Sequence, residues 1–199
     1  MTVRALLISP ATSAALRAAR FDDDCPLDER GLARARAAAG AVPRASRQLT
    51  APSLRCRGTA AALGLSPEPA PALADLAVGR WRGRSLDELA AAEPEAVAAW
   101  LADPGAAPHG GESVVALVER VGTWLDGLGG ESGEEDGSGD GRVLAVAEPA
   151  VIRAAVVHAL ALPSQAFWRL DVRPLTLTAL SGRAGRWNLR CGKALGSTG

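Results

Sequence analysis

Glu148 is the side chain whose position in the sequence most strongly suggests chemistry. It follows the continuous apolar run Val143–Ala147 and precedes a segment with helical spacing. Ligands of α/β sheets bind beyond the carboxyl ends of the strands, so a carboxylate at this junction is a candidate functional group. The alternative is that Glu148 only caps the next helix, a role worth on the order of 1 kcal/mol. A second candidate strand end, Ser9–Thr12, follows the apolar run Val3–Ile8.

The elements that must position these residues alternate between strands and helices. Apolar runs and alternation predict strands at Val3–Ile8, Arg47–Thr50 and Val143–Ala147, and a terminal hairpin of Leu175–Leu180 and Arg186–Arg190 around the turn Ser181–Gly185. Helical spacing and end signals predict helices at Leu27–Ala41, Pro52–Leu63, Glu95–Ala102, Glu112–Leu128 and Val151–Leu160, and one more behind the capping box of Ser85 and Glu88. Ser66–Pro71 is interpreted as a loop. This alternation predicts a layered α/β fold.

The size and composition are those of one globular domain spanning residues 1–199. Of the 199 residues, 48% are apolar and 22% charged, and 22 basic residues balance 22 acidic ones. A zero net charge argues against a nucleic-acid binder that relies on a basic field. The stretch Gly129–Gly141 holds only Gly, Ser, Glu, Asp and no apolar residue, which predicts a flexible, dispensable acidic loop within this domain.

Metal binding, membrane insertion and secretion find no support in the sequence. The three cysteines, Cys25, Cys56 and Cys191, are widely spaced, and only His109 and His158 are present, so neither a metal site nor another cofactor is expected. The N-terminal apolar run is too short for a signal peptide, and no stretch reaches the roughly 20 apolar residues of a membrane span. We therefore expect a cytoplasmic protein with a small-molecule ligand and no nucleic-acid or membrane partner. A homodimer is left open.

Six short segments, in order, resemble motifs of the histidine phosphatase superfamily, the phosphoglycerate-mutase-like proteins. They cover nearly the whole chain and are Leu7–Ser13, Asp24–Gly31, Ala51–Ala60, Leu73–Gly83, Gly110–Ser113 and Val146–Arg153. The corresponding family patterns are L-V-R-H-G-E-T, D-x-P-L-T-E-R-G, S-P-L-x-R-A-x-Q-T-A, L-x-E-x-x-x-G-x-W-E-G, G-G-E-S and V-S-H-G-G-V-I-R. The resemblance implies a three-layer α/β/α sandwich with a mostly parallel central sheet.

The departures from the family patterns fall on its catalytic positions. The first motif supplies an arginine and a histidine nucleophile, which are matched here by Ser9 and Pro10, and the second catalytic histidine is matched by Glu148. The family's second arginine is retained as Arg55, and its glutamate general acid is matched by Asp75. Proline has no nucleophile, and losing a covalent nucleophile costs on the order of a million-fold in turnover. Glu148 would also repel a phosphate by roughly 4 kcal/mol at 4 Å.

The altered pocket suggests acid–base chemistry if Arg55, Asp75 and Glu148 converge. Two carboxylates in different environments can act as acid and base, with Arg55 holding one of them ionised. We predict Glu148, Asp75 and Arg55 as catalytic. The residues predicted to bind the substrate are Ser9, Pro10, Thr12, Trp81, His109, Glu112 and Ser113. Trp81 and Trp168 could line an apolar pocket, although we favour core packing for Trp168, as for His158. The alternative is an Arg55–Glu148 ion pair that fills a dead pocket.

Three functions follow from these residues. The first is a repurposed acid–base enzyme (dehydration, cyclisation, isomerisation or hydrolysis) acting on a non-phosphorylated small molecule, which requires an open pocket around Glu148 and a shifted carboxylate pKa. The second is a catalytically inactive pseudo-phosphatase that binds or scaffolds, which predicts a pocket plugged by side chains or an apolar patch for a partner. The third is an atypical phosphatase, which requires a phosphate-sized anion site. None of these is a phosphohistidine-type phosphatase or mutase.

Overall fold

A computed structural model describes residues 2–21, 24–129 and 141–191 of the chain. Its strands are β1 (Val3–Ile8), β2 (Arg47–Thr50), β3 (Glu68–Pro69), β4 (Arg142–Val146), β5 (Leu177–Arg183) and β6 (Arg186–Arg190). They form one sheet in the order β3–β2–β4–β1–β5–β6. The pairs among β3, β2, β4 and β1 are parallel, and β5 and β6 add an antiparallel hairpin beside β1.

Seven α-helices in the described ranges flank this sheet. They are α1 (Ala14–Arg17), α2 (Glu29–Ala38), α3 (Leu54–Ala62), α4 (Leu86–Ala92), α5 (Pro94–Ala102), α6 (Val114–Gly127) and α7 (Pro149–Ala159). Helix α2 packs on α3, and α6 packs on α7. The predicted α/β fold, with a mostly parallel central sheet covered by helices, is confirmed.

The hydrophobic pattern accounts for the core and for most element ends. Val143–Val146 of β4 are all buried, as expected of a central parallel strand with neighbours on both sides. The capping box of Ser85 and Glu88 is present at the start of α4: each side chain accepts the other residue's backbone N–H. The predicted acidic loop Gly129–Gly141 falls outside the described residues, except for its two end glycines.

Most predicted boundaries differ from the structure by a few residues, and three of the differences have a clear physical reason. Helix α3 begins at Leu54 rather than Pro52, because the Ser53 hydroxyl caps it by accepting the Cys56 N–H at 3.1 Å. The predicted loop Ser66–Pro71 contributes the short strand β3, which pairs with β2. The hairpin turn is shorter than predicted, because Gly182 still pairs with Trp187 and only the two residues 184–185 turn the chain.

Candidate functional site

The carboxyl ends of β1 and β4 place two predicted site residues at one edge of the sheet. Ile8 pairs with Val146 in parallel register, so Pro10 and Glu148 each lie two residues beyond the same rung. Both residues are buried. Helix α3 follows β2, the other neighbour of β4, and it brings Arg55 to the same edge. Strand topology alone therefore assembles this part of the site.

Arg55 and Glu148 form a buried ion pair between the first turn of α3 and the residue that precedes α7. Arg55 Nε donates to Glu148 Oε1 at 3.3 Å, and Arg55 Nη2 donates to Oε2. Arg55 is 5% exposed and Glu148 is 0% exposed. Both carboxylate oxygens thus face the guanidinium, a bidentate geometry that makes strong charge-assisted hydrogen bonds.

Two further donors converge on Oε1 of Glu148. The Ser53 hydroxyl donates to it at 2.7 Å while accepting the Cys56 N–H, and the Cys56 thiol donates to it at 3.4 Å. Burial raises the pKa of Cys56, and the charge of Glu148 raises it further, so this thiol stays protonated. Glu148 is therefore held as an acceptor by Arg55, Ser53 and Cys56.

This arrangement does not provide the open pocket that acid–base catalysis by Glu148 requires. The carboxylate has no exposed surface, and its hydrogen bonds all go to Arg55, Ser53 and Cys56. A substrate cannot exchange a proton with an oxygen that it cannot reach. Asp75, the predicted acid–base partner of Glu148, lines a cavity whose wall does not include Glu148.

The segment after β1 is held by structural contacts. The Ser9 hydroxyl donates to Arg173 O at 2.5 Å and accepts the Thr176 N–H at 3.0 Å, so it ties β1 to the chain before β5. The backbone carbonyl oxygen of Thr12 lies so close to Gly31 that a Cβ atom at position 31 would overlap this oxygen. Neither residue lines the cavity described next, and the substrate contacts of Ser9 and Thr12 stay a prediction.

A cavity of about 130 Å³ is lined in part by the other predicted carboxylate residue, Asp75. Its walls are mostly apolar and aromatic. They consist of Phe21, Asp75, Leu76, Val78, Trp100, Ala150, Arg153, Phe167 and Trp168. Ala150 and Arg153 come from the first half of α7, the helix that starts directly after Glu148.

Arg153 is a half-buried cation in the wall of this cavity. Its Nε donates to Leu170 O at 2.8 Å, and its guanidinium lies 5.7 Å from the ring centroid of Phe167. No carboxylate oxygen of the described residues lies within 4.0 Å of it. Burial lowers the pKa of Arg153, although Asp171 and Asp75 act in the opposite direction. Sequence reasoning missed Arg153, because an arginine in a helical run carries no local signal of its environment.

The structure places Trp81 in the core and Trp168 in the wall of the cavity, the reverse of what the sequence favoured. Trp81 is completely buried, donates from its indole Nε1 to Glu93 at 3.3 Å, and does not line the cavity. Trp168, for which we favoured core packing, does line it, as does Trp100, whose ring centroid lies 4.4 Å from that of Trp168. Trp100 follows an alanine-rich segment, and nothing in that pattern pointed to a ligand.

His109 supports the aromatic cluster from behind. Its ring centroid lies 5.1 Å from that of Trp81 and 6.3 Å from that of Trp100. Nδ1 accepts the Gly111 N–H at 3.0 Å. Burial lowers the pKa of His109, and the charge of Arg80 lowers it further. The surroundings of His109 therefore favour its neutral form. His109 does not line the cavity, and its contact with a substrate stays a prediction.

Glu112 and Ser113 make hydrogen bonds that hold neighbouring segments of the chain in place. Glu112 binds Arg120 through two hydrogen bonds of 2.8 and 2.7 Å, and Arg120 donates to Ala72 O and Ala74 O, immediately before Asp75. Ser113 caps α6 by accepting the Ala116 N–H at 3.1 Å. Through Arg120, Glu112 positions the segment that carries Asp75. Neither Glu112 nor Ser113 lines the cavity, and their contacts with a substrate stay a prediction.

The rest of the described chain offers fewer features of chemical interest. It contains no group of three or more His, Cys, Asp or Glu side chains arranged to hold a metal ion. Within the same ranges, no helix is long and apolar enough to cross a membrane. A second cavity of about 420 Å³ lies on the β5–β6 hairpin and contains none of the predicted site residues.

The sequence and the fold are both similar to known proteins. The family model described as Histidine phosphatase superfamily (branch 1) matches residues 12–193. No curated protein sequence matches the chain. Among solved structures, one described as mycobacterial hydrolase 1 has a TM-score of 0.84 at 27% identity, covering 98% of this chain and 99% of that one.

Two further solved structures extend this likeness. The native structure of a mycobacterial glucosyl-3-phosphoglycerate phosphatase has a TM-score of 0.82 at 26% identity, covering 95% of this chain and 97% of that one. A putative alpha-ribazole-5'-P phosphatase from Escherichia coli has a TM-score of 0.82 at 21% identity and covers 96% of both chains, a likeness of fold.

Proposed function

Because this chain belongs to the histidine phosphatase superfamily, we propose that it is a member without phosphohistidine chemistry that binds a small, non-phosphorylated molecule. The site of binding is the cavity lined by Asp75, Arg153 and Trp168. The observation that carries this proposal is the closed ion pair of Arg55 and Glu148. The carboxylate of Glu148 takes up the guanidinium that the family resemblance assigns to the substrate phosphate.

Three features of the site argue against phosphoryl transfer. Pro10 offers no nucleophile at the position that the resemblance assigns to the reactive histidine. Arg55 is fully engaged by a buried carboxylate, and that carboxylate would also repel a phosphate. The resemblance assigns two arginines to phosphate binding, and Ser9 replaces one of them with a hydroxyl that holds the Arg173–Thr176 segment.

The similar structures support phosphatase activity as the rival function. Two of them are described as phosphatases, one acting on glucosyl-3-phosphoglycerate and one, named as putative, on alpha-ribazole-5'-phosphate. At 26% and 21% identity, a shared fold does not carry a shared reaction, because function depends on the particular residues of the site. An assay must therefore decide between binding and turnover.

A second candidate function is acid–base catalysis on the bound molecule. The observation that favours it is Asp75, whose carboxyl lines the same cavity as the Arg153 guanidinium. For this function, Asp75 transfers the proton and Glu148 takes no part in the reaction. Turnover that is lost in Asp75→Asn, while the ligand still binds, would distinguish this candidate from simple binding.

The proposed function is tested with phosphate itself. Inorganic phosphate should leave the melting temperature of the wild-type protein unchanged, whereas Glu148→Ala should gain phosphate-dependent stabilisation, because Arg55 then lacks its internal anion. Neither protein should hydrolyse p-nitrophenyl phosphate or a panel of phosphate monoesters. Wild-type hydrolysis that disappears in Arg55→Ala would overturn the proposal.

A further inference from the structure

The Arg153 guanidinium is the feature of the cavity that the proposed function leaves unexplained. It is half-buried, it donates to one backbone carbonyl, and no carboxylate of the described residues lies within 4.0 Å of it. Burying a cation is costly unless it is paired, and proteins satisfy most such charges with a counter-ion. An anionic group on a ligand would supply the partner that the described chain does not.

The aromatic walls define the body of that ligand. Phe21, Trp100, Phe167 and Trp168 surround the cavity, and Leu76 and Val78 complete its apolar surface. A volume of about 130 Å³ is close to the roughly 150 Å³ of an engineered protein cavity that holds benzene. The space therefore fits one aromatic ring, with its polar group directed toward Arg153.

Two aspartates limit the charge that this ligand can carry. Asp75 lines the cavity, and both Asp75 and Asp171 lie close enough to Arg153 to act on it electrostatically. Their negative charge reduces the attraction of Arg153 for any anion, and it opposes a dianion about twice as strongly as a monoanion. A carboxylate fits these charges better than a phosphate ester, and it matches the planar fork of a guanidinium.

We propose that the cavity binds a small aromatic monocarboxylic acid, with the carboxylate on the Nη atoms of Arg153 and the ring against the aromatic wall. This assignment rests on the proposed binding function and adds the chemical class of the ligand. Binding involves no covalent step. The ring displaces water from the apolar wall, and the carboxylate neutralises the half-buried guanidinium.

Isothermal titration of the full-length protein with benzoate, phenyl phosphate and benzylamine tests the assignment. Benzoate should bind more tightly than the other two. Arg153→Gln should weaken benzoate binding by about tenfold or more, whereas Arg169→Gln, an exposed arginine beside Trp168, should not change it. Arg153→Lys retains the charge and serves as the second variant if the glutamine variant does not fold. It should keep part of the affinity.

Asp75→Asn provides an independent test of the charge argument. Removing this carboxylate should tighten phenyl phosphate binding by a larger factor than benzoate binding, because the dianion feels the greater repulsion. No benzoate binding to a folded wild-type protein, equal affinity in Arg153→Gln, or preference for phenyl phosphate or benzylamine would each overturn the inference. Failure here leaves the absence of phosphate-ester hydrolysis intact, so the two proposals fail separately.

Discussion

The Glu148 carboxylate accepts hydrogen bonds from Arg55, Ser53 and Cys56, and none of its surface meets water. A buried pair of this kind adds little stability relative to a well-packed apolar pair, but breaking it leaves an uncompensated charge. Glu148 and Arg55 are therefore mutually dependent. Removing either partner costs far more than the net contribution of the pair.

We expect Glu148→Gln to lower the free energy of unfolding by about 3–5 kcal/mol, because Arg55 keeps its charge in a buried position. Chemical denaturation followed by circular dichroism measures this change. The same substitution at Glu88, whose ion pair with Arg20 is exposed, should have little effect, since glutamine also preserves the capping box.

An apolar replacement of both partners separates charge from packing. Arg55→Met combined with Glu148→Leu should recover much of the stability lost in Glu148→Gln. A glutamine variant as stable as the wild type would contradict the closed ion pair and would favour a carboxylate that is retained for function at a cost to stability.

His109 should make the fold sensitive to mild acid. Burial lowers the pKa of His109, so in the folded state it resists a proton that the unfolded chain binds near pH 6.5. The unfolded state then binds more protons below that pH, and the stability contributed by neutral His109 is lost as the pH falls. The melting temperature should drop between pH 7.5 and 5.5, and His109→Gln should show a smaller drop. An equal drop in both proteins would contradict this.

The residues of the candidate site were only partly predictable from the sequence. Arg55 and Glu148 could be expected at one sheet edge, because both follow strands that are neighbours in a parallel sheet. Their complete burial depends on how α3 and α7 close over them, which no local pattern encodes. Trp100 and Arg153 were missed for the same reason, since each becomes part of the cavity only through tertiary packing.

At the scale of elements, the capping box located one helix start, whereas some other starts were predicted too early. Ser85 and Glu88 mark α4, but α6 begins at Val114 behind its cap Ser113 rather than at Glu112. The strand β3 was not predictable, because Glu68 and Pro69 become a strand only by pairing with β2. Apolar runs predict the long central strands, whereas tertiary pairing decides the short edge ones.

The contact between α6 and α7 depends on Gly122. A Cβ at this position would overlap the Nδ1 atom of His158, whose Nε2 lies 3.0 Å from Asp126 Oδ2. Gly122→Ala should therefore lower the free energy of unfolding by about 1–3 kcal/mol, because a well-packed contact cannot accept the methyl group. Thermal melting is the measurement.

Two comparisons make this prediction specific. Gly127→Ala, also in α6, meets no atom within 4 Å and should be neutral or slightly stabilising, since alanine favours the helix. His158→Ala should cost less in the Gly122→Ala background than in the wild type. Equal costs in the two backgrounds would show that the imidazole is not the obstacle.

At the scale of the whole molecule, six weak motifs in the right order predicted the fold better than any single motif could. Composition and periodicity alone gave a layered α/β fold, and the motif order supplied its particular sheet and helices. The sheet order and the family match agree with that expectation. The fold is therefore specified by features distributed along the chain, while the chemistry depends on the side chains at a few positions within it.

The closed ion pair also couples the two positions that the family resemblance assigns to catalytic histidines. A histidine at position 148 alone would leave Arg55 buried without its anion, so it would lower stability without supplying a nucleophile at position 10. A histidine at position 10 alone would gain a nucleophile beside a carboxylate that still repels the substrate. A single histidine substitution at position 10 or 148 is therefore not expected to confer phosphohistidine chemistry on this chain, and only a combined change that also frees Arg55 could do so.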